Sequence, residues 1–216
     1  MPVQVAQKTL LRTRSRNALA RRLHGRSSAF AAPRTVQPFG LGKNSMKRIV
    51  FCIVSLLLAG CQGYPKNIEP VKGFDLNKYL GKWYEIARLD HPFERNLEQV
   101  SAEYSIREDG GMQVKNRGFS IKENKWNEAV GKAYFVREPE EGYLKVSFFG
   151  PFYGSYVIFE LDKNDYQYAF VSGPKESYLW FLSRTPTVSY ELKEKFQERA
   201  KALGYKTEEL IWVKQK

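Results

Sequence analysis

The chain has 216 residues and a formal net charge of +12, but all 23 acidic residues follow Cys61 while 11 of the 35 lysines and arginines precede it. The part after Cys61 carries 24 basic against 23 acidic groups, a net of +1, which removes the electrostatic case for a nucleic-acid-binding protein. Cys52 and Cys61 are the only cysteines, so nothing downstream forms a disulfide framework and the folded part depends on its own core.

Residues 1–45 are rich in Arg, Ser and Ala and contain no acid. They read as a non-native, disordered upstream extension, with an organellar transit peptide as the alternative. The first reading follows from what comes next, a complete export signal in residues 46–60. Met46-Lys47-Arg48 is the charged start, Ile49 to Leu58 the apolar run, and Ala59-Gly60 the small residues before a cleavage point. The apolar run is shorter than the roughly 20 residues of a membrane-spanning helix. Leu58-Ala59-Gly60-Cys61 resembles the lipobox of bacterial lipoprotein signals, which implies acylation of Cys61; a buried structural cysteine is the alternative. By the same resemblance, Gln62 in place of Asp implies sorting to the outer membrane. Residues 61–72, with Pro65 and Pro70, then form an acylated cysteine and its spacer, and 73–216 the folded domain.

Within that domain, short segments of alternating apolar and polar residues are punctuated by Gly, Pro, Asn and Asp, which predicts an all-β sandwich or barrel. One strand starts at Trp83. Val100, Ala102, Tyr104 and Ile106 make the next stripe, ended by the turn Asp109-Gly110-Gly111. Met112 and Val114, then Ala129 to Phe135, then Leu144, Val146 and Phe148 continue it. Runs at 155–161, 166–172 and 178–184 bring the number to eight, enough for an antiparallel barrel around one small ligand. A helix follows, with Ser189 as N-cap, Leu192, Phe196, Ala200 and Leu203 on one stripe and Gly204 as its stop. It suits a barrel wall better than a membrane surface, because Glu191, Glu194 and Glu198 interrupt its basic face. Leu210 to Val213 predicts a short closing strand.

Gly81-Lys82-Trp83, preceded by a helical turn at 76–80, is similar to the first lipocalin motif, and Trp180-Phe181-Leu182-Ser183-Arg184 resembles the last barrel strand of that family. His91-Pro92-Phe93-Glu94-Arg95 and Phe148 to Gly154 are similar to its bacterial outer-membrane lipoprotein branch. The resemblance spans Cys61 to Lys216. It implies an eight-stranded up-and-down β-barrel with one C-terminal α-helix packed outside, in which Arg184 packs across Trp83 and, with Gly81, closes one end. On residues alone, a Trp at a strand start such as Trp83 is usually just core. Where many lipocalins carry Thr-Asp-Tyr between two strands, this chain has Leu161-Asp162-Lys163-Asn164-Asp165-Tyr166, with Asp162 or Asp165 as the equivalent.

The resemblance further implies a fatty acid or lysophospholipid ligand, attachment to the bacterial outer membrane through acyl groups on Cys61, and exposure to the periplasm. Strand phase nominates Ala102, Tyr104, Phe135, Val146, Phe148, Tyr156, Trp180 and Leu182 as the cup lining, although each is also read as filling. Arg95 is a head-group candidate in the first loop of the open end, or a solvated cation. No cofactor, metal or nucleic acid is expected, and a second copy of the chain is a further candidate partner. A catalytic reading has little to work with: His91 is the only histidine after Cys61 and no thiol is free there. Glu85, in phase with Trp83, is a buried carboxylate with either a raised pKa or a local partner. The alternative function is a structural envelope lipoprotein whose barrel is filled.

Overall fold

Several strands carry large apolar side chains on both faces, which requires two separate dry environments. The computed structural model describes residues 63–216, so the 1–45 extension, the 46–60 signal and Cys61 lie outside the described residues. Eight strands form the wall: β1 (Gly81–Arg88), β2 (Leu97–Ile106), β3 (Met112–Ser120), β4 (Lys125–Phe135), β5 (Tyr143–Phe149), β6 (Phe152–Leu161), β7 (Tyr168–Ser172) and β8 (Leu179–Ser183). Each pairs antiparallel with its sequence neighbour, and β8 returns to β1, so β1 is bonded to β2 and β8 and the sheet closes. Starts and ends differ from the sequence expectations by a few residues, and Tyr166 falls outside β7. Its φ of 53° takes it out of the extended chain, and its hydroxyl accepts a hydrogen bond from the Asp75 N–H at 2.8 Å. In the same loop the Asp162 carboxylate receives the Asn164 and Gln167 amides, so Asp162 rather than Asp165 organises the turn.

The inner core is built from residues two apart: Trp83 on β1, Tyr104 on β2, Met112 and Val114 on β3, Ile158 on β6, Ala169 and Val171 on β7, and Leu182 on β8. The intervening residues point out. Val157, Phe159, Phe170, Leu179 and Phe181 form a second core with helix α2 (Tyr190–Ala202), whose Phe196 and Ala200 are fully buried. The Phe196 ring meets Phe170 edge-on at 4.9 Å and lies tilted against Phe181 at 5.0 Å. The helix begins where Ser189 Oγ accepts the Leu192 amide and ends before Gly204, whose φ of 86° suits a residue without a Cβ.

Closure is not uniform along β1. Only Gly81 to Tyr84 pair with β2, because bulges between Glu85 and Ala87 and between Glu98 and Ser101 part the two strands. The C-terminus fills the gap. Strand β9 (Ile211–Trp212) pairs with Ala87 and Arg88, the Gln99 N–H donates to Lys214 O, and Gln215 Nε2 reaches both Glu85 O and Val100 O.

The other end of β1 is plugged. The short helix α1 (Leu76–Tyr79), capped by Asp75, crosses beneath the barrel and presents Tyr79 O to the Trp83 indole N–H at 2.8 Å. The Arg184 guanidinium lies 3.9 Å from the centre of the Trp83 ring, and it donates to Lys82 O, Tyr166 O and Lys78 O. One side chain thereby binds α1, β1 and the β6–β7 loop to the end of β8. Arg184→Ala should cost about 2 kcal/mol in urea denaturation, from the lost ring contact and three orphaned carbonyls, and Arg184→Lys should recover less than half because an ammonium lacks the planar fork. A loss under about 0.5 kcal/mol would mean that the plug is not holding the end together.

Candidate functional site

β1 runs from the plugged end, so the β1–β2, β3–β4, β5–β6 and β7–β8 connections all lie at the opposite, open end. Along β4 the inward residues from the open end downward are Ala129, Gly131 and Ala133. Ala129 is exposed although it faces the interior, whereas Gly131 and Ala133 are buried. The interior is therefore open at the level of Ala129 and filled at that of Ala133, about 13 Å further along the strand. Ala129 pairs with Asn116, and Asn116 with Ala102, so this side of the wall is lined by small groups. Gly131 has a steric reason to lack a side chain. A Cβ there would sit 2.8 Å from Phe148 Cδ1 and 2.7 Å from Ser147 O, so its absence lets the Phe148 ring lie across the inner surface.

The eight residues nominated from strand phase all belong to this interior, but at two depths. Ala102, Val146, Phe148, Tyr156 and Trp180 are partly accessible. Tyr104 and Leu182 are buried, and Phe135 sits at the plugged end of β4 against Phe74, with ring centroids 6.1 Å apart. These three form the floor and not the lining. The floor is closed by hydroxyls: Tyr156 meets Tyr79 at 2.7 Å and Tyr104 at 2.8 Å. Burial pushes all three phenol pKa values up, so the cluster is neutral throughout the physiological range.

A polar cluster sits beneath the β1–β2 loop at the mouth. Arg88 and Glu85 are both buried, with Arg88 Nη1 donating to Glu85 Oε1 at 2.6 Å and Nη2 donating to Glu94 O at 2.8 Å and Leu97 O at 3.2 Å. Glu94 accepts from the Trp180 indole at 3.0 Å, and His91 Nε2 lies 2.8 Å from the same carboxylate oxygen, out of line for a hydrogen bond. The His91 ring stacks on Tyr178 and meets Trp180 edge-on, which ties this loop to β8 and the β7–β8 loop. Burial, then repulsion from Glu94, raise the Glu85 pKa well above the usual carboxylate range against the pull of Arg88. Burial also pushes Glu94 upward, but His91, Trp180 and Arg88 outweigh it and leave its pKa lowered.

Arg95 has no place in this cluster. It is more than half exposed and its guanidinium is held by Asp90, so the buried cation nearest the cup is Arg88, which the sequence reading did not single out. The i, i+3 spacing of Glu85 and Arg88 was the available signal, obscured because a regular strand would place them on opposite faces; the bulge brings them together. Among the described residues, no three His, Cys, Asp or Glu side chains converge as a metal site.

Residues 74–215 match the model of the lipocalin-like domain. Over 170 residues the chain is 59% identical to outer membrane lipoprotein Blc of Vibrio cholerae, covering 79% of this chain and 99% of that protein. It is 50% identical to outer membrane lipoprotein Blc of Escherichia coli K12 over 151 residues, covering 70% and 85%. Insecticyanin from the tobacco hornworm Manduca sexta superposes with a TM-score of 0.56 at 20% identity, covering 71% of this chain and 87% of that one, a likeness of fold alone. The closed eight-stranded wall, its plugged end and the outer helix define a small antiparallel β-barrel of the lipocalin type. The chain belongs to the lipocalin family.

The mouth cluster makes stability depend on pH in a defined direction. The folded protein holds the Glu85 proton more tightly than the unfolded chain does, so this contribution is complete below the ordinary carboxylate pKa and fades as pH rises through the elevated one. Thermal unfolding of the wild type should weaken, relative to Glu85→Gln, as pH rises above the ordinary carboxylate range, since the variant keeps an acceptor for Arg88 and removes the titration. Parallel curves would mean that Glu85 is already ionised at those pH values.

Proposed function

We propose that this lipocalin is an outer-membrane lipoprotein, anchored through acyl groups on Cys61 and exposed to the periplasm, that takes a fatty acid or lysophospholipid into its cup for membrane maintenance. The observation that carries the binding role is the accessible inner face at Ala129 above a floor of buried aromatics. A single acyl chain suits a shallow cup, and each methylene moved out of water contributes about 0.8 kcal/mol. The bacterial relatives are named outer membrane lipoproteins, which supports the location, and the Leu58 to Cys61 resemblance supports the anchor. A binding role is favoured over catalysis because the Glu85 carboxyl is held by Arg88, the Glu94 carboxylate by the Trp180 indole, and the three floor tyrosines by one another.

Native mass spectrometry of the protein titrated with palmitate and with lysophosphatidylethanolamine should show saturable uptake of one lipid. Ala129→Trp, which places a ring on the accessible wall, should weaken uptake by about tenfold or more without lowering the melting temperature. It is a cleaner probe than Trp180→Ala, since Trp180 also holds Glu94 and loss of its indole would loosen the mouth loop. A protein that takes up neither lipid would support the filled-barrel envelope role instead.

The anchor is tested separately. Cys61→Ser should move the protein from the membrane to the soluble periplasmic fraction while leaving lipid uptake unchanged. Continued membrane attachment would refute acylation at that position.

A further inference from the structure

Asn116 is a polar side chain on an otherwise apolar stretch of inner wall. It shares the inward phase of Met112 and Val114 on β3, both buried in the inner core, and it stands in one row with Ala102 of β2 and Ala129 of β4. Those two neighbours offer only methyl groups. Asn116 Oδ1 is closed off from water and, among the described residues, accepts no hydrogen bond, although the residue as a whole is only half-buried. An unpaired buried acceptor lowers stability, so its place on the accessible side of the cup points to a partner that arrives with the ligand.

Other polar groups bordering the lumen are already engaged. The hydroxyls of Tyr79, Tyr104 and Tyr156 bond one another, the Trp180 indole donates to Glu94, and Glu85 is held by Arg88. Asn127, two residues nearer the mouth than Ala129 on β4, hydrogen-bonds Glu123 of the β3–β4 turn. Height decides which part of a ligand meets Asn116. It lies midway along β3 between Met112 at the floor and Ser120 at the mouth, about 13 Å along the strand from either. A charged or strongly hydrated head group stays in water at the mouth, because burying it unpaired is costly. The part of an amphiphile that reaches Asn116 is therefore its chain. An amide oxygen there takes a hydrogen bond from a neutral O–H, whereas a plain methylene chain leaves it unpaired in a still drier site.

We propose that Asn116 is a specificity residue of the cup, which selects acyl chains carrying a hydroxyl near their middle over plain chains. The hydroxyl donates to Asn116 Oδ1, and Ala102 and Ala129 leave room for the substituted carbon beside it. This deepens the lipid-binding role proposed above and rests on it.

The test titrates the protein and its Asn116→Leu variant, close in volume but without a polar atom, with three lipids, the bound fraction being read by native mass spectrometry. The lipids are stearate, a hydroxystearate substituted at mid-chain and one substituted next to the carboxylate. The wild type should bind the mid-chain isomer about fivefold more tightly than stearate, as one added hydrogen bond allows, and the other isomer no more tightly than stearate. Asn116→Leu should lose that preference, hold stearate at least as tightly as the wild type and melt no lower, since it removes an unpaired buried acceptor. Asn116→Ala supplies the same comparison where leucine disturbs the packing. A wild type that takes up none of the three lipids would overturn the binding role and the selectivity with it. Stearate uptake with no mid-chain preference, or with an equal preference for both isomers, would overturn the selectivity alone. A preference that survives in both variants would place the hydroxyl's partner elsewhere and overturn the role of Asn116.

Discussion

A sheet can close into a barrel only if its first strand finds partners on both edges, and here that requirement falls on β1. The first half of β1, Gly81 to Tyr84, is bonded by β2, with β8 joining at Tyr84; the other half is bonded by β8 and, beyond its bulge, by the C-terminal tail as well. At the plugged end the junction is locked by Trp83, held between Tyr79 and Arg184, and at the mouth by Gln215, which bonds β1 and β2 at once. Free backbone groups at either seam would be an open sheet edge, with its cost in stability and its tendency to pair with other chains. The two seams thus determine where the barrel is solid and where it opens.

The distribution of side-chain size follows from that closure. Large rings cluster around β1 and the plugged end, where Trp83, Tyr79, Tyr104, Tyr156 and Phe74 pack into a floor with every tyrosine hydroxyl of the trio bonded. The facing wall of β2 to β4 carries Ala102, Gly131 and Ala129, which leave volume unfilled toward the mouth. A barrel of this size can be packed solid or left hollow. This one does both, at different heights. Outside, the wall needs a second cover because Phe170 and Phe181 point away from the lumen, and α2 provides it.

The mouth concentrates the features with no role in closure: the Glu85–Arg88–Glu94 cluster under the first loop and the phenylalanines on the rim. Burying a guanidinium is costly unless its donors are used; Arg88 Nη1 and Nη2 make three contacts, to the Glu85 carboxyl and to the Glu94 and Leu97 carbonyls, that fix the loop over the lumen, while Nε is buried without a partner. The rim residues gain nothing from the domain itself.

Local signals in the amino-acid order were enough for the strands, the outer helix with its Ser189 cap and Gly204 stop, the turn at Asp109 and the pairing of Trp83 with Arg184, because period-two alternation, capping chemistry and a family motif are each written in adjacent or regularly spaced residues. The same alternation put all eight nominated lining residues in the interior. It carried no information on height, so Phe135, Tyr104 and Leu182 were expected in the cup and belong to its floor. Nor did it reveal Arg88 as an inward cation, since the bulge that turns it beside Glu85 is a register shift between strands and not a property of β1 alone. The tail that fills the β1–β2 gap, the preference of Asp90 for Arg95 and the path of residues 63–71 along β6 likewise depend on segments distant in the chain meeting in space. Which face a residue takes is a local matter of backbone geometry, whereas depth, partners and the direction in which the mouth lies are decided by how the strands stagger around the closed wall.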